Sequence, residues 1–211
     1  MATTVQKPAG LSAHRAADES LLPLILRLRP VIHLTSDHLL ELAAINEGLK
    51  FELSVEGELI VMPPPGGRTS DRNSEINFQL RGWAKRDGTG VTYDSSGGFD
   101  LPDGATFAPD GAWVLKSRLE PISLKQQEKA LPLCPDFVLE LRSPSDRLPP
   151  LQRKMRQYLA NGARLGWLID PYTKHVEVYR PDTPVERLDH PTTVSADPVL
   201  PGFVLDLQEI W

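Results

Sequence analysis

The spacing of apolar residues changes period several times along the chain, and each change predicts an element. Ser36 and Asp37 open a run, HLLELAAIN, with helical spacing that ends at Gly48, a residue suited to the turn after a helix. FELSVEGELIVM alternates and predicts two short strands joined by a turn at Glu56–Gly57. Regular structure stops at PPPGG, residues 63–67. A longer helix is predicted from about Ser70 to Arg86, because Ile76, Leu80 and Trp83 recur at i, i+4 and i+7. Short strands follow at GVTYDS, FDL and DGAWVL, with a turn at Pro102-Asp103-Gly104. The charged stretch 116–132 reads as a loop with a helical turn.

FVLELR, residues 137–142, is the most strand-like run, and Ser143-Pro144-Ser145 ends it. A helix with Leu151, Met155, Tyr158 and Leu159 on one face closes at Asn161–Gly162, and GWLID and HVEVYR form strands around an Asp170–Pro171 turn. The apolar tail PGFVLDLQEIW packs back on the domain. Strand, helix, strand over 137–169 forms a βαβ-like crossover, and with the hairpins it predicts an α/β (α+β) fold: a mixed sheet flanked by helices in a single domain. Residues 1–31, rich in Ala, Ser and Thr at their start, read as a flexible N-terminal arm, and 32–211 as the folded domain.

Composition narrows the class. Of 211 residues, 40 % are hydrophobic and 24 % charged, enough to bury a core without disulfides. The one cysteine, Cys134, lies at the mouth of an apolar run and reads as a buried structural thiol rather than a nucleophile. No stretch reaches the ~20 apolar residues of a membrane helix, and the N-terminus has no secretory h-region, so the expected location is the cytoplasm. A net charge of −5 argues against a protein that coats DNA non-specifically.

Function is sought where the chain breaks its own packing logic. Glu140 interrupts a strand whose two faces are otherwise apolar: Val138 and Glu140 share one, Phe137, Leu139 and Leu141 the other. Burying an unpaired carboxylate costs several kcal/mol, roughly, so a cation partner is the better account than a strand end paired to Arg142. Asp110 follows Pro109 and starts the strand GAWVL. Asp136 follows Pro135 in the same way and competes with it as a ligand. Asp110 ranks first because a metal shared by neighbouring strands draws its second carboxylate from a different strand. Lys154 stands ~40° from Tyr158 on the helical wheel, at the edge of the apolar stripe. There its amine either snorkels to solvent or reaches a cavity holding both carboxylates. Glu75, one turn before Gln79, is either a solvated helix residue or a further acidic ligand.

Two carboxylates and a lysine suffice for phosphodiester hydrolysis. A divalent metal neutralises the phosphate and acidifies bound water, and Mg²⁺ needs only one or two protein carboxylates, with Mn²⁺ able to substitute. The lysine orients or deprotonates the attacking water and stabilises charge on phosphate. The backbone carbonyl of Leu141 is a candidate third ligand, and Glu75 an outer or second-metal one. The five histidines have no metal-ligand spacing, and phosphate-loop and nucleophile-elbow motifs are absent. Two other classes compete: a catalytically silent module of the same fold that binds protein or nucleic acid, and a sugar hydrolase with paired carboxylates. Scattered Trp and Tyr give the last little support.

FELSVEGELIVMPPPGG, RNSEI, FAPDGAWV, CPDFVLELRSPSD, KMRQYLANGARLGWLIDP and HVEVYRP, in that order, resemble the Uma family of restriction endonucleases, from about Ile32 to Trp211. The resemblance implies a PD-(D/E)XK nuclease fold, a Mg²⁺-dependent site that cleaves DNA, and a homodimer. Asp110 matches the family's Pro-Asp aspartate and Glu140 its strand glutamate. The motif's lysine, two residues after that glutamate, is here Arg142, which cannot serve as a general base. Lys154 matches the position to which the family moves that lysine. Many members carry a histidine near Asn73; this chain has none, and Glu75 takes the acidic helix place.

Overall fold

A computed structural model describes residues 23–211. The chain begins with β1 (Leu24–Arg27), α1 (Ser36–Ile45), β2 (Lys50–Leu53), β3 (Glu58–Met62) and α2 (Gly67–Asp87). Next come β4 (Gly90–Asp94), β5 (Phe99–Asp100), β6 (Thr106–Phe107), β7 (Gly111–Leu115) and two single-turn helices, α3 (Lys116–Leu119) and α4 (Leu124–Gln127). The second half holds β8 (Phe137–Leu141), α5 (Leu148–Ala160), β9 (Leu165–Asp170), β10 (His175–Tyr179), β11 (Glu186–Asp189), β12 (Thr193–Ser195) and β13 (Val204–Asp206).

The main sheet has six strands in the order β11-β10-β9-β8-β7-β4, and β8 and β9 are its parallel pair. α5 makes the crossover between them, as the strand-helix-strand pattern predicts. Its first turn contains Pro149 and Pro150, tolerated there because no N–H of that turn needs a helical acceptor. A second sheet, β1-β3-β2-β6-β5, is antiparallel throughout. The turn joining β2 to β3 places Gly57 at φ 79°, a conformation that costs a residue with a Cβ.

Both faces of the main sheet are covered. Ile76, Leu80 and Trp83 of α2, with Phe203, Leu205 and Leu207 of the tail, pack on the face carrying Phe137 and Leu139. Met155 and Tyr158 of α5, with Phe107 from the second sheet, pack on the face carrying Val138. β8 is buried at all five positions, so it is central, and the side-chain alternation expected for FVLEL is the one observed. A Cβ on Gly166 would lie 2.5 Å from Met155 Cε; this glycine lets α5 sit directly on β9. That close seat brings the neighbouring Lys154 to the end of β8.

The helices and strands that were predicted are present with shifted ends, but β6, β11, β12 and β13 were not anticipated, and the strands form a second five-stranded sheet and a two-stranded one beside the mixed sheet. α2 starts three residues before Ser70, directly after the proline run. Residues 1–22 of the predicted arm lie outside the described residues. The remainder of that arm differs from the expectation: Leu24–Arg27 pair with Glu58–Val61 as an edge strand. All four of its side chains are exposed, so no burial pattern marked it in the sequence. Among the described residues, no helix is long and apolar enough to cross a membrane.

Candidate active site

Asp110 closes the approach to β7, and Glu140 is the fourth residue of β8. The antiparallel register pairs Gly111 with Leu139, which carries Asp110 alongside Glu140 at the next step. Both line one cavity of about 470 Å³, together with Leu141, Asn73, Lys50 and Asp146. The Asp110 carboxylate accepts the Leu141 N–H at 2.9 Å and the Asn73 amide N–H at 3.2 Å. Asn77 donates to the Asp110 backbone carbonyl at 2.9 Å. Two asparagines one helical turn apart on α2 thus hold the aspartate against the end of the sheet.

Glu140 is 5 % exposed. Its Oε1 is 2.8 Å from the Lys154 ammonium and accepts the Tyr158 hydroxyl at 3.0 Å. Burial pushes its carboxyl up to about 8; Lys154 opposes that rise, while Asp110 and Glu52 add to it by like-charge repulsion. Burial also raises the Asp110 carboxyl, against the Leu141 N–H and the Lys154 charge. Burial alone would lower the Lys154 amine, but the carboxylates of Glu140 and Glu52 outweigh it and hold the amine above its usual range. Both carboxylates favour the charged amine, and they accept from it at 2.8 Å each.

Glu52, on β2, was not foreseen. It is 3 % exposed, accepts Lys154 at 2.8 Å and takes the Ala108 N–H at 2.9 Å. Lys154 bridges it to Glu140 and so ties the second sheet to the main one. In the alternation of FELS a glutamate between apolar residues reads as the solvent face of a half-buried strand, so no local signal set it apart. Asn73 and Asn77 were missed likewise; their i, i+4 spacing on the helix side facing Asp110 was the available signal.

The remaining candidates sit elsewhere. Glu75 accepts a hydrogen bond from Gln79 at 2.9 Å, and Gln79 in turn bonds the Asp206 backbone; two residues beyond Asn73, Glu75 points around the helix from the cavity. Asp136 pairs with Arg118 at 3.1 Å and accepts the Leu115 N–H, at the opposite end of β8 from Glu140. Arg142 pairs with Asp170 at 2.7 Å. Cys134 is buried, and desolvation pushes its thiol up to about 12.

Among the described residues, no group of three or more His, Cys, Asp and Glu side chains is arranged to hold a metal. The hard oxygens that line the cavity are the carboxylates of Asp110 and Glu140, and Asn73 of the same lining has a buried amide oxygen without a hydrogen-bond partner among the described residues. Two carboxylates completed by neutral oxygens and water suit Mg²⁺ or Mn²⁺, so the residues present fit such an ion.

The fold has relatives. A solved structure described as a "putative nuclease belonging to DUF820" from Anabaena variabilis superposes with a TM-score of 0.71 at 25 % identity. The match covers 84 % of this chain and 97 % of that one. No curated protein matches the sequence. The sequence profile of Uma2, described as "Putative restriction endonuclease", matches residues 36–208, and the chain belongs to that family.

Proposed function

We propose that the protein is a divalent-metal-dependent endonuclease that hydrolyses DNA phosphodiester bonds at Asp110, Glu140 and Lys154. The observation that carries the reading is that two carboxylates from adjoining strands, Asp110 half-buried and Glu140 buried, line one cavity, with a helix-borne ammonium paired to the second. Nothing in fold maintenance requires such an arrangement, because burying like charges together is costly. Membership of a family described as restriction endonucleases supports the same reaction class.

In this reading Asp110, Glu140 and the Leu141 carbonyl would hold Mg²⁺ or Mn²⁺, which supplies neutralisation of the phosphate and acidification of a bound water. The chain's own groups do the rest. The Leu141 N–H and Asn73 amide aim the Asp110 carboxylate into the cavity. Tyr158 orients Glu140 from beneath. Lys154, kept protonated, donates to the attacking water or to a non-bridging phosphate oxygen and stabilises charge that builds there. Its role is electrostatic and not that of a general base. Glu75 has no part in this scheme. The protein is expected to act as a homodimer, which light scattering checks.

A second reading is a silent nuclease-fold module. One observation favours it: Glu140 already has an ion-pair partner in Lys154, which it shares with Glu52. Calorimetric titration with Mn²⁺ separates the two. The nuclease binds the ion in the wild type and loses that binding in both Asp110→Ala and Glu140→Ala, and it cuts plasmid DNA in a reaction that EDTA stops. The silent module shows neither.

A further inference from the structure

Arg72 occupies an inward position of α2, on the buried stripe that continues through Ile76, Leu80 and Trp83. It is 4 % exposed. Among the described residues it makes no salt bridge and no side-chain hydrogen bond; its one polar contact is the Tyr172 ring, 5.8 Å from the guanidinium carbon. Two partly buried cations nearby do have anions: Arg142 has Asp170, and Lys154 has Glu140 and Glu52. A guanidinium withdrawn from water without a counter-charge costs several kcal/mol, roughly, unless a ligand supplies the charge. Its nitrogens are not among the unpartnered atoms fully cut off from solvent in the described residues, which are in Asn73, Trp113, Trp167 and His175.

The position explains which anion. Thr69 and Asn73, on the same turn of α2, line the cavity, and Asn73 holds Asp110. Arg142, whose guanidinium carbon lies 5.7 Å from the centre of the same Tyr172 ring, directly precedes Ser143 of the cavity wall. Two arginines therefore share one half-exposed tyrosine, and each is next in sequence to a residue that lines the cavity. Arg142 is committed to Asp170, which leaves Arg72 with donors to spare. We propose that Arg72 binds a phosphate of the nucleic-acid backbone next to the one cleaved, with Tyr172 holding the guanidinium in place. The inference rests on the nuclease reading above and adds a substrate subsite to it. Arginine suits the task because its planar fork meets phosphate oxygens in pairs.

The test is binding of a short fluorescent DNA duplex, with Ca²⁺ in place of Mg²⁺, over a range of salt concentrations. Loss of one phosphate contact lowers the slope of log K against log salt by about 0.9. Arg72→Met is expected to show that drop, with affinity reduced about tenfold, as for a charged hydrogen bond. Arg72→Lys keeps the wild-type slope. Because the guanidinium has no anionic partner among the described residues, Arg72→Met melts at or above the wild-type temperature. An Arg72→Met protein that fails to fold or melts clearly lower overturns the proposal, since the cation then serves the fold. Wild-type cleavage with an unchanged slope in Arg72→Met also overturns it and leaves the nuclease reading standing. A wild type that neither binds nor cuts DNA removes both.

Discussion

The Lys154 ammonium lies 2.8 Å from the Glu140 carboxylate, joining the helix that leaves the central strand to the one acidic residue inside that strand. The same ammonium holds Glu52. Removing it strands two buried carboxylates. Lys154→Met is therefore expected to lose about 3–5 kcal/mol of stability, the cost of breaking a buried ion pair from one side. It should also lower cleavage at least about 10²-fold. Urea denaturation and single-turnover cleavage check the two effects separately.

Glu52 acts through Lys154 and holds no candidate ligand position. Glu52→Gln keeps an oxygen for the Ala108 N–H and removes only the charge. Its cleavage rate should fall about tenfold while Mn²⁺ affinity stays near that of the wild type. Glu140→Gln should lose metal binding as well. Equal Mn²⁺ affinities in Glu140→Gln and wild type would contradict this division of roles.

The sheet was legible because FVLEL, with apolar residues on both faces, admits only a central strand, and the following stripe of Leu151, Met155 and Tyr158 admits only a covering helix. The same logic exposed Glu140 as a charge in the wrong place. For Lys154 the angle to that stripe left two readings open, solvent or the carboxylates, and the packed helix gives the second; strand adjacency brought Asp110 forward over Asp136. What sequence could not carry was long-range closure. Glu52 comes from a different sheet, 88 residues before Glu140 by position, and its local alternation resembles an ordinary solvent face. Arg72 was hidden among charged neighbours, and only the packed helix reveals that it points inward. Glu75 shows the converse: an acidic residue in the expected helix, turned away by two positions.

Asp170 supplies a pH dependence. Burial pushes its carboxyl up, but the Arg142 guanidinium and the N–H of Tyr172, with Thr173, together hold it below the usual range. A carboxyl whose folded value lies below its unfolded value adds stability above the unfolded value, and this is lost as pH falls through the folded one. The wild type should thus exceed Asp170→Asn in stability at pH 7, and the gap should close below about pH 4. Denaturant midpoints measured across that range test it.

Cys134 donates to the Tyr158 carbonyl from within the core, at 3.4 Å, with its thiol raised to about 12. Alkylation is a thiolate reaction. The native protein should resist iodoacetamide at pH 8, and the denatured protein should take up one label per chain, as mass spectrometry will read. Rapid labelling of the native state would show that the core around α5 opens.

The most direct measurement is nicking of supercoiled plasmid by the wild type, Asp110→Ala and Glu140→Ala, each with Mg²⁺, with Mn²⁺ and with EDTA. Metal-dependent nicking by the wild type, abolished in both variants while their folded spectra persist, is the result expected. Cleavage that survives both substitutions, or a wild type inert with either ion, would contradict the assignment of Asp110 and Glu140 as the catalytic pair.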